Sequence, residues 1–457
     1  MPPSSPGCAT LRRRRWIGAF QRAFACSGGD PMRSWSRSGR RQIGDDRRRF
    51  MAARRAEARA APDAAPPLSA WGFVVRFGIV SLLADFVYEG ARSITGPLLG
   101  SLGASGFVVG VVTGVGEAAA LVLRLVSGPL TDRTRRFWAW TISGYVLTVV
   151  SVPLLGVAGV LWVAAALVIA ERVGKAVRSP AKDTLLSHAT AVTGRGRGFA
   201  VHEALDQVGA VAGPLTVAAV LAATGDDFTP ALTMLAIPGA ATLLLLVRIR
   251  IRVPDPARYE PAAAPRPGIA RVPLPRQFWL YCLFTAVSML GATTYGVLSL
   301  HMVAAGVFTT AAVPVVYAAA MAADALAALA SGWLYDRVGA KTLLLLPVST
   351  ALVPVFGFAG GTGVVLAGAL LWGATVGVQE STLRAVVADL VPGDRRATAY
   401  GIYAAVLGAA TAAGGAITGF LSDTSHSALV ATVVAVECAA VVVLFALAAR
   451  RRPPAGR

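Results

Sequence analysis

The chain has 457 residues, of which 55% are apolar and only 15% charged, and its mean hydropathy is +0.62. An average soluble protein is about 25% charged, so both a soluble enzyme and a largely disordered chain are excluded. The net charge of +19 would suit nucleic acid, but its placement points elsewhere. Residues 1–66 hold 15 arginines, no lysine and five acids, Asp30, Asp45, Asp46, Glu57 and Asp63. This tail, taken as 1–68, is rich in Arg, Ala, Ser and Pro and has no apolar run that would make a signal-peptide core. It is expected to be disordered and cytoplasmic. Either it is a polybasic segment drawn to anionic lipid, at ~1 kcal/mol per basic residue, or it is passive, with Met32 or Met51 the true first residue. The four cysteines (Cys8, Cys26, Cys282, Cys438) are too scattered for a disulfide scaffold or a metal pair.

From Gly72 onward, apolar stretches recur, each long enough to cross a ~30 Å hydrocarbon core as a helix. Twelve are expected, near 72–99, 105–127, 137–157, 158–178, 198–223, 229–249, 277–304, 308–333, 342–360, 362–387, 397–422 and 427–449. Basic residues alternate between the connections. Arg133, Arg135 and Arg136 fall in the second, Lys182, Arg195 and Arg197 in the fourth, Arg337 and Lys341 in the eighth, and Arg395 and Arg396 in the tenth. The opposite connections carry no Lys or Arg, and one holds Asp226 and Asp227. By the positive-inside rule both termini are cytoplasmic. Residues 250–276, rich in Pro and Arg, form a semi-stiff cytoplasmic linker between two six-helix bundles, 69–249 and 277–449. Residues 450–457 make a short basic tail. The fold class is therefore an all-α integral membrane protein, two six-helix repeats around a central cavity.

The halves echo each other. "SGPLTDRTRRF" follows the second span and "SGWLYDRVGAKTL" follows the eighth, with Gly128 and Gly332, Asp132 and Asp336, and Arg133 and Arg337 each 204 residues apart. A weaker echo links "GFAVHEALDQVGAVAGP" to "AYGIYAAVLGAATAAGG". Such internal repetition marks a duplicated transporter. Over about 70–450 the chain resembles the major facilitator superfamily, whose pattern Gly-x-x-x-Asp-Arg-x-Gly-(x)-Arg/Lys recurs in these two connections. The second copy matches with Gly332, Asp336, Arg337, Gly339 and Lys341. The first has Gly128, Asp132, Arg133 and Arg136 but lacks the second Gly. The resemblance implies a cytoplasmic latch that forms while that side is closed. The alternative is that these residues are only membrane-face anchors. A second, partial resemblance, Gly209, Gly213 and Pro214 in span five, lies toward the drug:proton antiporters of the family and implies export. The family also carries an Arg in span four. Arg172 is the best match, with Lys175 and Arg178 nearer the expected cytoplasmic end.

Ionisable side chains inside membrane helices cost about 2.5–3.5 kcal/mol each, so each needs a reason. Span one carries Asp85, Glu89 and Arg92 on one stripe with Ser81. Span two carries Glu117 and Arg124. His202 and Asp206 lie in span five, Asp324 in line with Tyr317 in span eight, Glu380 and Arg384 in span ten, and Ser288, Tyr295 and Ser299 in span seven. Carboxylates in a low-dielectric cavity can cycle their protons, so Asp85, Glu89, Glu117 and Asp206 are the candidates for proton coupling, with Asp85 or Glu89 first. Arg92, Arg124, Asp324, Glu380, Arg384 and Tyr295 are candidates to line a substrate cavity. Glu89–Arg92 and Glu380–Arg384 can equally be buried ion pairs that only fix packing.

"HEALD" lacks the second His of a zinc-protease motif, and no phosphate-binding loop is present. No catalytic residue, metal site, cofactor or nucleic-acid partner is expected. The expected partners are a small-molecule substrate, protons and the lipid bilayer, with a monomeric chain in a bacterial cytoplasmic membrane. Three functions fit: a proton-coupled exporter, a proton-coupled importer of a polar or anionic metabolite, and a non-transporting sensor or scaffold.

Overall fold

The computed structural model describes residues 68–259, 274–391 and 395–449. The basic tail, most of the central linker and the C-terminal arginines lie outside the described residues. Within them the chain is helical, and ten segments are long and apolar enough to cross a membrane. One of these, Val313–Gly357, has 45 residues. As a single helix it would reach ~68 Å, more than twice the hydrocarbon thickness. Gly339, at φ 63° and ψ −141°, breaks it into Val313–Val338 and Leu345–Gly357, the eighth and ninth spans. The helix Leu161–Thr193, whose middle carries Glu171, Arg172, Lys175 and Arg178, is the fourth. This brings the spans to the expected twelve.

Several spans depart from simple rods. The fourth, expected to end near 178, continues to Thr193, so Lys182 sits on a helix inside the bundle and not in a connection. Arg172 and Arg178 are correspondingly buried. The second span is interrupted at Leu123, between Gly106–Val122 and Arg124–Thr134. The seventh is interrupted between Arg276–Leu290 and Tyr295–Ala304. The tenth contains a π turn over Gln379–Leu383. Broken helices are tolerated at membrane depth only where protein or a cavity covers the freed backbone groups.

Small residues decide how the halves meet. A side chain at Gly110 would strike the carbonyl of Gly415, and one at Gly106 or Gly419 would strike the opposing helix likewise, so spans two and eleven pack backbone to backbone. Gly96 of span one lies as close to the Gly296 carbonyl of span seven. The Asp423 carboxylate, from the end of span eleven, accepts hydrogen bonds from the backbone N–H of Gly106 (2.7 Å) and Phe107 (2.8 Å). It thereby satisfies two of the open donors at the start of span two. All these contacts lie between mid-depth and the end of the molecule away from the basic connections.

The repeated motif is also visible in backbone geometry. Arg135 adopts a left-handed conformation (φ 52°) at the position where the second copy has Gly339 (φ 63°). The two turns differ beyond φ: Arg135 (ψ 20°) is in the left-handed helical region, which a non-glycine residue can occupy at a steric cost, whereas Gly339 (ψ −141°) is in a region open essentially to glycine alone. Gly128 has open space around it. It makes no close helix contact here. Gly332 does stand close to Ser381 of span ten, with 3.0 Å to its hydroxyl for an added Cβ.

Gly110→Val should therefore lower thermal stability by about 1–3 kcal/mol. It should also raise the reactivity of a cysteine placed at Ser101 toward a thiol reagent, because the seam that closes this end can no longer form.

Candidate functional site

A cavity of about 730 Å³ lies between the halves. Its wall runs from Thr95, Thr113 and Gly296 at mid-depth to Arg124, Gly128, Asp183, Arg384 and Tyr400 toward the basic end. The sealed seam lies at the other end. The structure is therefore closed at the end away from the basic connections and hollow toward them.

The charged wall is built on spans one, two and four. Glu89 and Arg92 are one helical turn apart and meet at 3.5 Å. Arg92 then reaches Glu117 of span two at 2.8 Å. The same Glu117 oxygen is 3.6 Å from Arg172 of span four, and Arg172 bonds Glu171 at 3.2 Å. Five charges thus form one alternating chain across three helices. Alternation is what makes such burial tolerable, since each unpaired charge would carry several kcal/mol of desolvation. Lys175 closes the row, its ammonium 4.6 Å from the centre of the Tyr88 ring, with the Tyr88 hydroxyl 3.4 Å away.

The opposite half answers with aromatic groups. The Tyr317 hydroxyl of span eight donates to the Glu89 carboxylate. Tyr317 packs edge-on against Tyr295 at 4.5 Å, and Tyr295 against Trp372 at 5.0 Å. The Tyr295 hydroxyl donates to the Val313 carbonyl (3.0 Å), and Trp372 Nε1 to the Thr293 carbonyl (3.0 Å). Glu89 is thus held by an Arg of its own helix and a Tyr of the other half.

The remaining expected residues divide. Asp85 does not line the cavity. It packs beside Gly209 of span five, the helix that carries His202 and Asp206. It belongs to a second cluster, in which His202 Nε2 is 3.2 Å from both Ser81 and Lys182 and 3.7 Å from Asp206. The i, i+4 spacing that put Asp85 with Glu89 identifies a shared face, but that face is wide enough for two neighbours. Arg124 lines the cavity, but Glu117 takes its cations from Arg92 and Arg172; Arg124 is about two helical turns along the same span. Glu380 and Arg384 both line the cavity, and no ion pair joins them among the described residues, since the π turn alters their spacing. Asp324 is buried against Gly377 of span ten, outside the cavity wall. The exposed Asp132, Arg133 and Arg136 reach no partner on the facing half among the described residues, and Arg337 lies over Trp333 of its own helix at 3.8 Å.

Sequence reasoning missed Glu171 and Asp183, and undervalued Lys175 and Lys182. The signal was available in "AERVGKAVRSPAKD": charges at 171, 175, 178 and 182 repeat at helical spacing, so the span did not end at 178. It also missed Glu437, an acid at 2% exposure in the otherwise apolar twelfth span.

The family model described as Major Facilitator Superfamily matches residues 77–359 and 305–457. The chain belongs to this family. It is 66% identical over 396 residues to an uncharacterized protein of Mycobacterium tuberculosis, covering 85% of this chain and 96% of that one. It is 25% identical over 357 residues to an uncharacterized MFS-type transporter of Methanocaldococcus jannaschii, covering 76% and 88%. Among solved structures, the nucleoside transporter NupG superposes with a TM-score of 0.65 at 15% identity, covering 83% of this chain and all of the other. An inward-facing bacterial homologue of the human lysosomal transporter Spinster does so with a TM-score of 0.61 at 13% identity, covering 83% and 95%. These likenesses show the fold. The chain is a multi-pass membrane transporter of the major facilitator type.

The charge chain should be energetically coupled. Glu117→Ala leaves Arg92 and Arg172 facing each other and should destabilise the protein by roughly 2–4 kcal/mol. Thermal unfolding in detergent would show it. Removing Arg172 in the same background should cost much less than removing it from the wild type, because the repulsion goes with it.

Proposed function

We propose that this protein is a proton-coupled secondary transporter that exports a small polar or amphipathic molecule by alternating access. One observation carries the reading. Glu89 is bonded at once to Arg92 in its own half and to Tyr317 in the other. Transport in this architecture moves one half against the other. A carboxylate bonded across the moving interface experiences two environments in the two states, and a proton that binds it in one and leaves in the other is coupled to that motion. Arg92 takes part in both states, since it also holds Glu117 and supplies a counter-charge whenever Glu89 is ionised.

The basic connections assign the hollow end to the cytoplasm by the positive-inside rule, in a bacterial cytoplasmic membrane. The exposed motif residues then correspond to an open cytoplasmic latch, and the glycine seam with Asp423 to a closed outer gate. Export follows from the Gly209, Gly213 and Pro214 pattern, whose two glycines sit against the span-one carbonyls of Leu82 and Phe86. Uptake of an anionic metabolite is the second reading. It is favoured by Arg124 and Arg384, which face the cavity from opposite halves.

In everted vesicles with an acid interior and a pH-sensitive dye, a transported compound should dequench the dye. The response should fall at least tenfold in Glu89→Gln and remain in Asp85→Asn. Dequenching that survives Glu89→Gln intact would remove Glu89 as the coupling acid. No dequenching with any compound panel, together with substrate accumulation in right-side-out vesicles, would establish uptake instead. In whole cells, an impermeant thiol reagent should label Asp226→Cys and spare Arg337→Cys.

A further inference from the structure

The twelfth span, His426–Ala449, is the most apolar of all and turns Val442 and Phe445 outward. Its one acid, Glu437, points inward and is 2% exposed. It lies behind the break in span seven. The Ser288 hydroxyl, on the last turn before the break, donates to Oε2 at 2.7 Å. Oε1 has no hydrogen-bond partner and rests against Gly291, where an added Cβ would come within 2.6 Å of it. No cation pairs with this carboxyl among the described residues. The ninth span carries no titratable side chain. Arg396, Tyr400, Tyr403 and Asp423 of span eleven and Lys341 before span nine make no bond to it. An ionised carboxylate so placed has one hydroxyl for solvation, whereas the neutral acid is nearly satisfied by the same contact.

The break itself is a junction. Thr293 receives Trp372 of span ten, and Thr294 shares a 2.8 Å hydrogen bond with Thr113 of span two in the other half. Met289, Ala292, Thr293 and Thr294 all line the cavity, and Gly291, against which Glu437 rests, lies between them in the chain.

We propose that Glu437 is a second proton-binding group, a positioning residue that acts on transport through the span-seven break. In the conformation seen here it is the neutral acid, and the break is bent around it. When the break moves and cavity water passes Gly291, the carboxyl loses its proton to that water and becomes an anion. The anion cannot return to the dry contact with Ser288, so the bent state forms again only after a proton rebinds. This rests on the proton-coupled reading above but assigns a group in the opposite half to Glu89.

The test uses the full chain in lipid and needs no substrate. Infrared spectra of the wild type at neutral pH should contain the C=O stretch of a buried protonated carboxyl. It should vanish in Glu437→Gln, which is isosteric and keeps the Ser288 contact, and persist in Glu89→Gln. A nitroxide at position 292, in a cysteine-free background, should change mobility as the pH is raised through the loss of that band. The change should be absent in Glu437→Gln and should return in Glu437→Asp with its midpoint moved by roughly one pH unit or more. A carboxyl band unaffected by Glu437→Gln would overturn the proposal, as would a mobility change that titrates unaltered in that variant. Neither readout depends on Glu89, so a failure of the coupling reading in the vesicle assay is distinguishable from a failure here.

Discussion

A charge at membrane depth must be matched within a few ångströms, and in this chain the match turns on Arg92. It stands between Glu89 and Glu117, at 3.5 and 2.8 Å, and through Glu117 it is linked to Arg172 and Glu171. Spans one, two and four are thereby fixed relative to one another by alternating charge, while their remaining contacts are largely apolar. Because the chain of charges ends at Glu89, the bond from Tyr317 joins this network to the other half. The central position of the cavity follows: it is the space that two bundles leave when they are sealed by glycine seams at one end and joined by a few polar contacts at mid-depth.

The seal and the charge network are different kinds of interaction, and the difference matters for two-state behaviour. Backbone-to-backbone packing at Gly96, Gly106 and Gly110 is short-ranged and is lost entirely once the helices part. The Asp423 contact to the start of span two is electrostatic but exposed, so water can replace it at small cost. A gate made of such parts can open without a large penalty. The Arg92 network lies within one half and has no reason to break when that gate opens. The halves can therefore move as bodies, with the adjustment falling on polar contacts that cross between them, among them Tyr317–Glu89 and Thr113–Thr294.

Much of this was legible in sequence, for physical reasons that also set the limit. Apolar length fixed the spans, and the spacing of 204 residues between the motif copies exposed the duplication. The Arg92 stripe was found because a helix places i+3 and i+7 on one side. Periodicity does not say which neighbour a face meets. Asp85 was therefore assigned to the cavity when it faces Gly209, and Arg124 was set beside Glu117 although a break at Leu123 intervenes. Tyr317 and Glu89 are 228 residues apart, and nothing in either local sequence announces the other. Glu437 was invisible for the opposite reason: a lone acid forms no pattern, and its meaning lies in Ser288 and Gly291, on a different helix.

The two halves are repeats in fold and unlike in chemistry, and that asymmetry bears on the proposed coupling. If both halves carried equivalent charge networks, proton binding would bias neither against the other. Here the first half holds the ionic chain Glu89–Arg92–Glu117–Arg172–Glu171, and the second faces it with Tyr295, Tyr317 and Trp372, which carry no charge. A tyrosine hydroxyl can donate to a carboxylate or accept from a carboxylic acid, so Tyr317 can stay bonded to Glu89 in either protonation state. The energetic difference between those states must then arise from Arg92, whose attraction for Glu89 disappears when the acid is neutral. A neutral Glu89 leaves Arg92 to Glu117 alone and makes the net charge of the cavity wall more positive by one. Proton binding at the interface and the charge presented to a substrate are in this way the same event, which gives the proposed coupling a physical basis without any group beyond those already in the wall.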